Sequence, residues 1–168
     1  GIDRMTVEDF AKREQELLEV IHAKLETGQY GFKPARRNEI PKPGTTKVRK
    51  LGIPVVMDRI VGQSLQTVLE EIYDPGFTKS NFGFRRGKSQ HQAVAHMRRA
   101  IAEGREWCVA IDLKSFFDKI PHGLILKLIR RKISDERVVT LIVRSLKAGT
   151  IVDGIFEKSR EGCPQGSP

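Results

Sequence analysis

The sequence predicts an α/β (α+β) fold that is mostly helical, with two β-hairpins and one central strand. Three observations lead there. Apolar residues recur at helical spacing in about five separate stretches. Pro43-Gly44 and Asp153-Gly154 each lie between short strand-like runs, as turn dipeptides do. Trp107, Val109 and Ile111 alternate with Cys108, Ala110 and Asp112, which is the period of a strand.

Taken in order, Thr6 with Asp9 three residues on is a capping-box helix start. Phe10, Leu17, Ile21 and Leu25 follow on one face, and Gly28 ends the run. Residues 37–41 and 47–53 then form the first hairpin, rich in cations. Pro54 opens a long amphipathic helix with Val56, Ile60, Leu65, Leu69 and Ile72, which Asp74-Pro75 stops. Asp58 and Arg59 lie within it. Ser89 caps the next helix, which carries Val94, Met97 and Ile101 and stops at Gly104. His91 and His96 lie five apart with no partnering acid, so they read as surface or core histidines. Beyond the strand to Asp112, Pro121-His122 leads into a helix with Leu124, Ile125, Leu128 and Ile129. Ser134 leads into another with Val138, Leu141, Ile142 and Leu146, ended by Gly149, and residues 150–159 make the second hairpin.

Composition narrows the class. A chain of 168 residues is long enough for one domain with a real core. At 39% hydrophobic and 30% charged it has the make-up of a soluble globular protein, with no apolar run of roughly 18 residues to span a bilayer. Cys108 and Cys163 are far apart, without metal-ligand spacing, and read as reduced thiols of a cytoplasmic protein. The formal charge of +9 and a pI near 9.8 favour a polyanionic partner. The cations fall in short clusters over several elements, the arrangement of a groove tracking phosphates, although each cluster alone reads better as a solvated face.

The acid at the end of the central strand is the first candidate for chemistry. Its same-face neighbours, Cys108 and Ala110, are small and leave room beside the carboxylate. Such a carboxylate can hold Mg²⁺ against a substrate phosphate, or it can simply cap the next turn. Spacing alone leaves both open. The run 81–89, NFGFRRGKS, nearly spells a phosphate loop but has three residues between glycine and Gly-Lys where that loop needs four. The spacing therefore argues against P-loop nucleotide hydrolysis.

Asp112-Leu113-Lys114-Ser115-Phe116-Phe117-Asp118 resembles the first catalytic motif of reverse transcriptases, especially those encoded by group II introns. The resemblance continues in order along the chain: GIDRMT at the start, IPKPG at 40–44, LGIP with DR at 51–59, FGFRRGKS at 82–89 and GCPQGSP at 162–168. It implies reverse-transcriptase-like fingers over residues 1–88 and a partial palm over 89–168, with 120–160 packing back onto the fingers. The family's later Y-x-D-D aspartates do not occur in these 168 residues, so the chain reads as truncated before them, and Gly1 as a truncation point as well.

The resemblance also implies roles. Asp112, with the backbone carbonyl of Leu113, would ligate the Mg²⁺ of a two-ion site, while Asp118 reads better as a cap. Lys42 and Arg49 would grip the incoming deoxynucleoside triphosphate, Arg as a bidentate fork and Lys as a mobile point charge. By spacing alone these are equally edge-strand charges that discourage aggregation. Ser115, Phe116, Phe117 and Gln165 would surround the nucleotide, with Phe117 under its sugar, although adjacent phenylalanines are also what a core provides. Arg85 and Lys88 would contact nucleic acid. The implied function is RNA-directed DNA synthesis with a maturase role in intron splicing and mobility. Template-primer and intron RNA are then the partners, and the oligomeric state stays open. The alternatives are a non-catalytic RNA-binding splicing factor and an RNA-templated RNA polymerase on the same palm.

Overall fold

The computed structural model describes residues 1–163 except Lys42, Thr45 and Lys47. The chain forms two compact units, one of residues 1–66 with 115–168 and the other of residues 67–114.

The first unit begins with α1 (Val7–Ala11) and α2 (Glu14–Glu26). The expected capping box is present: Thr6 Oγ1 accepts from the Asp9 N–H while the Asp9 carboxylate accepts from the Thr6 N–H. The single expected helix is broken at Arg13, whose backbone leaves the helical region (φ −128°) and whose guanidinium pairs with Glu16 at 2.6 Å. Two strands follow, β1 (Ala35–Pro41) and β2 (Val48–Ile53), antiparallel from Arg36 opposite Ile53 to Pro41 opposite Val48. α3 (Val56–Tyr73) starts in this unit and runs into the second. After it come α4 (Gln90–Ala102) in the second unit and, back in the first, α5 (Phe116–Lys119), α6 (His122–Ile129) and α7 (Glu136–Lys147). A second hairpin, β3 (Thr150–Val152) and β4 (Ile155–Glu157), turns through Asp153 and Gly154, both at positive φ, as its dipeptide predicts. The sheet order is β2-β1-β3-β4, because β3 pairs parallel with β1, Ala35 opposite Thr150. Hydrophobic pattern alone does not reveal that pairing.

The core of this unit gathers Phe10, Leu17, Ile21, Tyr30, Val56 and Val61. Among them lies Asp58, a charged residue only 5% exposed. Its Oδ1 accepts from the Tyr30 hydroxyl at 2.7 Å and its Oδ2 from the Lys33 N–H at 2.8 Å. Burial raises the Asp58 pKa above its ordinary 3.8, against the smaller lowering by those two donors. Burial and the neighbouring carboxylate raise the Tyr30 hydroxyl as well.

In the second unit, α3 ends in a 3-10 turn at Asp74–Gly76 and α4 starts at the expected cap, with Ser89 and Gln92 forming a capping box. No residue of α4 is buried, and Val94, Met97 and Ile101 are exposed. The strand expected over 107–112 is absent: residues 105–113 have no regular structure, and Trp107 is 94% exposed. The alternating pattern is present, but a strand also needs a neighbour to accept and donate its ladder bonds, and among the described residues none pairs with it. No helix of the described residues is long and apolar enough to cross a membrane.

Tyr30→Phe should cost about 1–3 kcal/mol, since it leaves a buried carboxylate short of a donor. A carboxyl whose pKa is raised on folding binds its proton more tightly in the folded chain. Its contribution is complete below about pH 3.8 and is lost as pH rises through the raised value. Asp58→Asn, less stable overall, should lack that loss, so the stability gap to the wild type should narrow as pH rises. Urea unfolding of both proteins between about pH 4 and 7 checks this, and a constant gap would refute the raised pKa.

Candidate functional site

The first unit carries a cleft of about 790 Å³ between the β1-β2 hairpin, the α5 turn and the segment that leaves β4. Arg37, Arg49, Lys50, Lys119, Lys158 and Arg160 line it against three acids, Asp118, Glu157 and Glu161. Arg37 reaches Glu157 at 3.5 Å, joining β1 to β4 across the floor. The surplus of cations gives the cleft a field suited to a polyphosphate or a nucleic-acid backbone.

Two residues singled out in the sequence meet here, Arg49 from the hairpin and Ser115 from the D-L-x-x-F-F-D motif. Ser115 is left-handed (φ 54°), and its carbonyl accepts from the Asp118 and Lys119 N–H groups, which bends the chain into α5. A non-glycine residue held in that region costs of order 1–3 kcal/mol and marks a turn that its surroundings impose. Phe116 and Phe117 stand edge to face, ring centroids 5.6 Å apart, and both are exposed, so neither is core.

The segment after β4 is pinned to this turn. The Cys163 N–H donates to the Phe117 carbonyl at 2.7 Å and the Gly162 N–H to the Ile120 carbonyl at 2.8 Å. His122 Nε2–H donates to the Gly162 carbonyl at 2.8 Å, and Pro121 bridges to Glu161. Gly162 has φ +79°, and a Cβ there would lie 2.6 Å from the Asp118 carbonyl oxygen. Gly162 and Cys163 are thus tied to the turn that carries Phe117. Lys119, His122, Lys158 and Arg160 were not read as site residues. The legible signal was the glycine before Cys163-Pro164, which marks a left-handed position.

Other candidates lie in the second unit. Asp112 is exposed on the irregular segment, with Leu113 next to it. Arg85, read as a phosphate contact, points inward: Nε and Nη2 donate to the Asp74 carboxylate at 2.5 and 2.9 Å, and its other N–H groups to the carbonyls of Asp74, Thr78 and Asn81. Those bonds depress the Asp74 pKa and raise that of Arg85. Lys88 is exposed, with Nζ 5.8 Å from the Phe82 ring centroid. Lys42 and Gln165 lie outside the described residues.

Residues 40–168 match the family described as reverse transcriptase (RNA-dependent DNA polymerase). The chain belongs to the reverse transcriptase family. It is similar to protein YkfC of Escherichia coli K12, at 39% identity over 89% of this chain and 40% of that protein. It is also similar to the group II intron-encoded protein LtrA of Lactococcus lactis subsp. cremoris, at 36% identity over 99% of this chain and 27% of that protein. The putative COX1/OXI3 intron 1 protein of Saccharomyces cerevisiae is 37% identical over 85% of this chain and 17% of that protein. The chain therefore spans less than half of these relatives, and the resemblance to group II intron reverse transcriptases and maturases read from its motifs holds. The structure resembles a chain of a partial Cas6-RT-Cas1–Cas2 complex, with a TM-score of 0.57 and 21% identity over 92% of this chain and 27% of that one, a likeness of fold.

Gly162→Ala should lower the unfolding midpoint by several degrees, since the new Cβ meets backbone oxygens rather than a side chain able to swing away. Thermal unfolding followed by circular dichroism is the check, and an unchanged midpoint would mean that the 117–122 and 160–163 segments are not tied together.

Proposed function

We propose that this chain supplies the fingers (1–88) and the first part of the palm (89–168) of a group II intron-encoded RNA-directed DNA polymerase that also binds its intron RNA. The observation that carries the reading is the cationic cleft, where Arg49 of the hairpin and Ser115 of the catalytic motif line one space. In this reading the deoxynucleoside triphosphate lies in the cleft, with Arg49 gripping its phosphates and Phe117 beneath its sugar. Lys42 and Gln165 are the further nucleotide contacts, and RNA template-primer follows the basic surface.

The family's chemistry calls for divalent metal. Asp112 and the Leu113 carbonyl are oxygen donors of the hard type Mg²⁺ prefers, but they are too few for a site. Among the described residues no group of three or more His, Cys, Asp and Glu side chains gathers. In this reading Asp112 and the Leu113 carbonyl are two ligands of a site that needs further oxygen donors. When bound, a metal pair would lower the pKa of the attacking hydroxyl and neutralise the leaving phosphate. This chain's own residues bind and orient the triphosphate: the cations offset its charge, and the exposed Phe117 ring sets the floor under the deoxyribose.

In the longer protein, Asp112→Ala should abolish primer extension, each tenfold of lost rate equalling about 1.4 kcal/mol of barrier, while RNA affinity stays within about twofold. Retained extension would refute the metal-ligand role. Phe117→Ala in the same protein should raise ribonucleotide incorporation by removing the ring that clashes with a 2′-hydroxyl, and single-nucleotide kinetics with the two sugars would read it. The 168-residue chain by itself should bind RNA without polymerising. Its log affinity should fall linearly with log salt, and Lys158→Glu with Arg160→Glu should flatten that slope by roughly 0.7 to 0.9 for each phosphate they cease to neutralise. Salt-independent binding would count against the cleft.

A further inference from the structure

The run 81–89 suggested a nucleic-acid contact through Arg85, but the structure turns that side chain inward and sends its neighbour out. Arg85 has five N–H donors, and all five are engaged within the loop. Its guanidinium also sits 5.5 Å over the Phe77 ring. Phe82 is held as well, 5.7 Å from the His96 ring and under the Lys88 ammonium. Between these anchors stands Phe84, 99% exposed, with a left-handed backbone (φ 53°). A bulky residue in that conformation is strained, and a phenylalanine entirely in water forgoes the burial it would gain elsewhere. The loop is rigidly built, yet it presents this ring to solvent.

We propose that Phe84 is a stacking platform for an unpaired base of single-stranded nucleic acid, with Arg86 and Lys88 holding the adjoining phosphates. Every base has a π-face, so an exposed aromatic ring beside cations binds single strands with little regard for sequence. The charge around the ring selects this occupant. Both cations are exposed, and Phe84 is the only exposed large apolar side chain of the run 81–89, so within this loop the ring stands among cations rather than in an apolar stretch. A base paired inside a duplex cannot offer its face to the ring. The platform therefore distinguishes unpaired from paired strands, which deepens the RNA-binding function proposed above and rests on it.

The test is fluorescence anisotropy of the 168-residue chain with labelled oligoadenylate RNA and with a blunt RNA duplex, across a salt series. Phe84→Ala should weaken single-strand binding by roughly tenfold to a hundredfold. It should leave duplex affinity unchanged and keep the salt slope, because the same cations still neutralise the phosphates. Phe84→Tyr should restore single-strand binding. Lys88→Glu should do the opposite of Phe84→Ala, flattening the slope for both RNAs. Phe84→Gly, which relieves the left-handed strain, should reproduce the alanine result with unimpaired thermal stability, which separates binding from folding. Equal losses on both RNAs, or no loss on either, would overturn the platform while leaving RNA binding in place. Self-association of the wild type that Phe84→Ala abolishes in sedimentation would assign the ring to a protein contact instead. A wild type that binds neither RNA would remove the RNA-binding function and the platform with it.

Discussion

The first unit depends on one buried carboxylate. Asp58 lies in the first turn of α3, and its two oxygens hold the Tyr30 hydroxyl and the Lys33 N–H, both from the connection that leads from α2 into β1. A charge taken out of water is tolerable only if its lone pairs are satisfied, so this acid fixes where that connection runs. β1 starts two residues later, at Ala35. On the other side of the same connection, Arg144 Nη1 donates to the carbonyls of Gly28 and Tyr30, which brings α7 alongside. α7 delivers β3, and β3 pairs with β1. The hairpin that carries Arg49 and the turn that carries Ser115 line one cleft because β1 pairs with both β2 and β3, and the segment that leaves β4 is hydrogen-bonded to the turn.

The second unit is organised by a pair with the opposite electrostatics. Asp74 and Arg85 stabilise each other's charged forms, so Asp74 is a stronger acid than usual where Asp58 is a weaker one. The pair closes the loop between α3 and α4 without an apolar centre. What this unit leaves open is apolar: one face of α4 and the alternating residues of 107–113. Those faces have the periodicity of buried elements without a partner among the described residues, in a chain that covers a minority of each relative's length.

Elements governed by neighbours in sequence were legible. The capping boxes at Thr6 and Ser89, the stops at Gly104 and Gly149, and the hairpin at Asp153-Gly154 are local hydrogen-bond and dihedral problems, and a few adjacent residues solve each of them. The site was half legible. Arg49 and the D-L-x-x-F-F-D run could be picked out as chemistry, whereas Lys119, Lys158 and Arg160 looked like ordinary surface charge. Lys158 and Arg160 matter because the parallel β1-β3 pairing carries the second hairpin beside the first, and Lys119 because the segment after β4 is hydrogen-bonded to the α5 turn. The strand at 107–112 shows the converse. Its alternation is real, but pattern supplies only one side of a ladder.

The sequence by itself determined the reverse transcriptase family, the mixed helical and hairpin make-up, and the residue types that the chemistry requires, because motifs and local propensities are written in contiguous residues. Tertiary structure alone decided that Asp58 is buried, that Arg85 turns inward and Phe84 outward, and that six cations line a single cleft. Each of these depends on which distant groups come within hydrogen-bonding or Coulombic reach. An arginine reads the same in sequence whether a phosphate or an internal carboxylate takes its five donors. Only the position of Asp74 settles which one does.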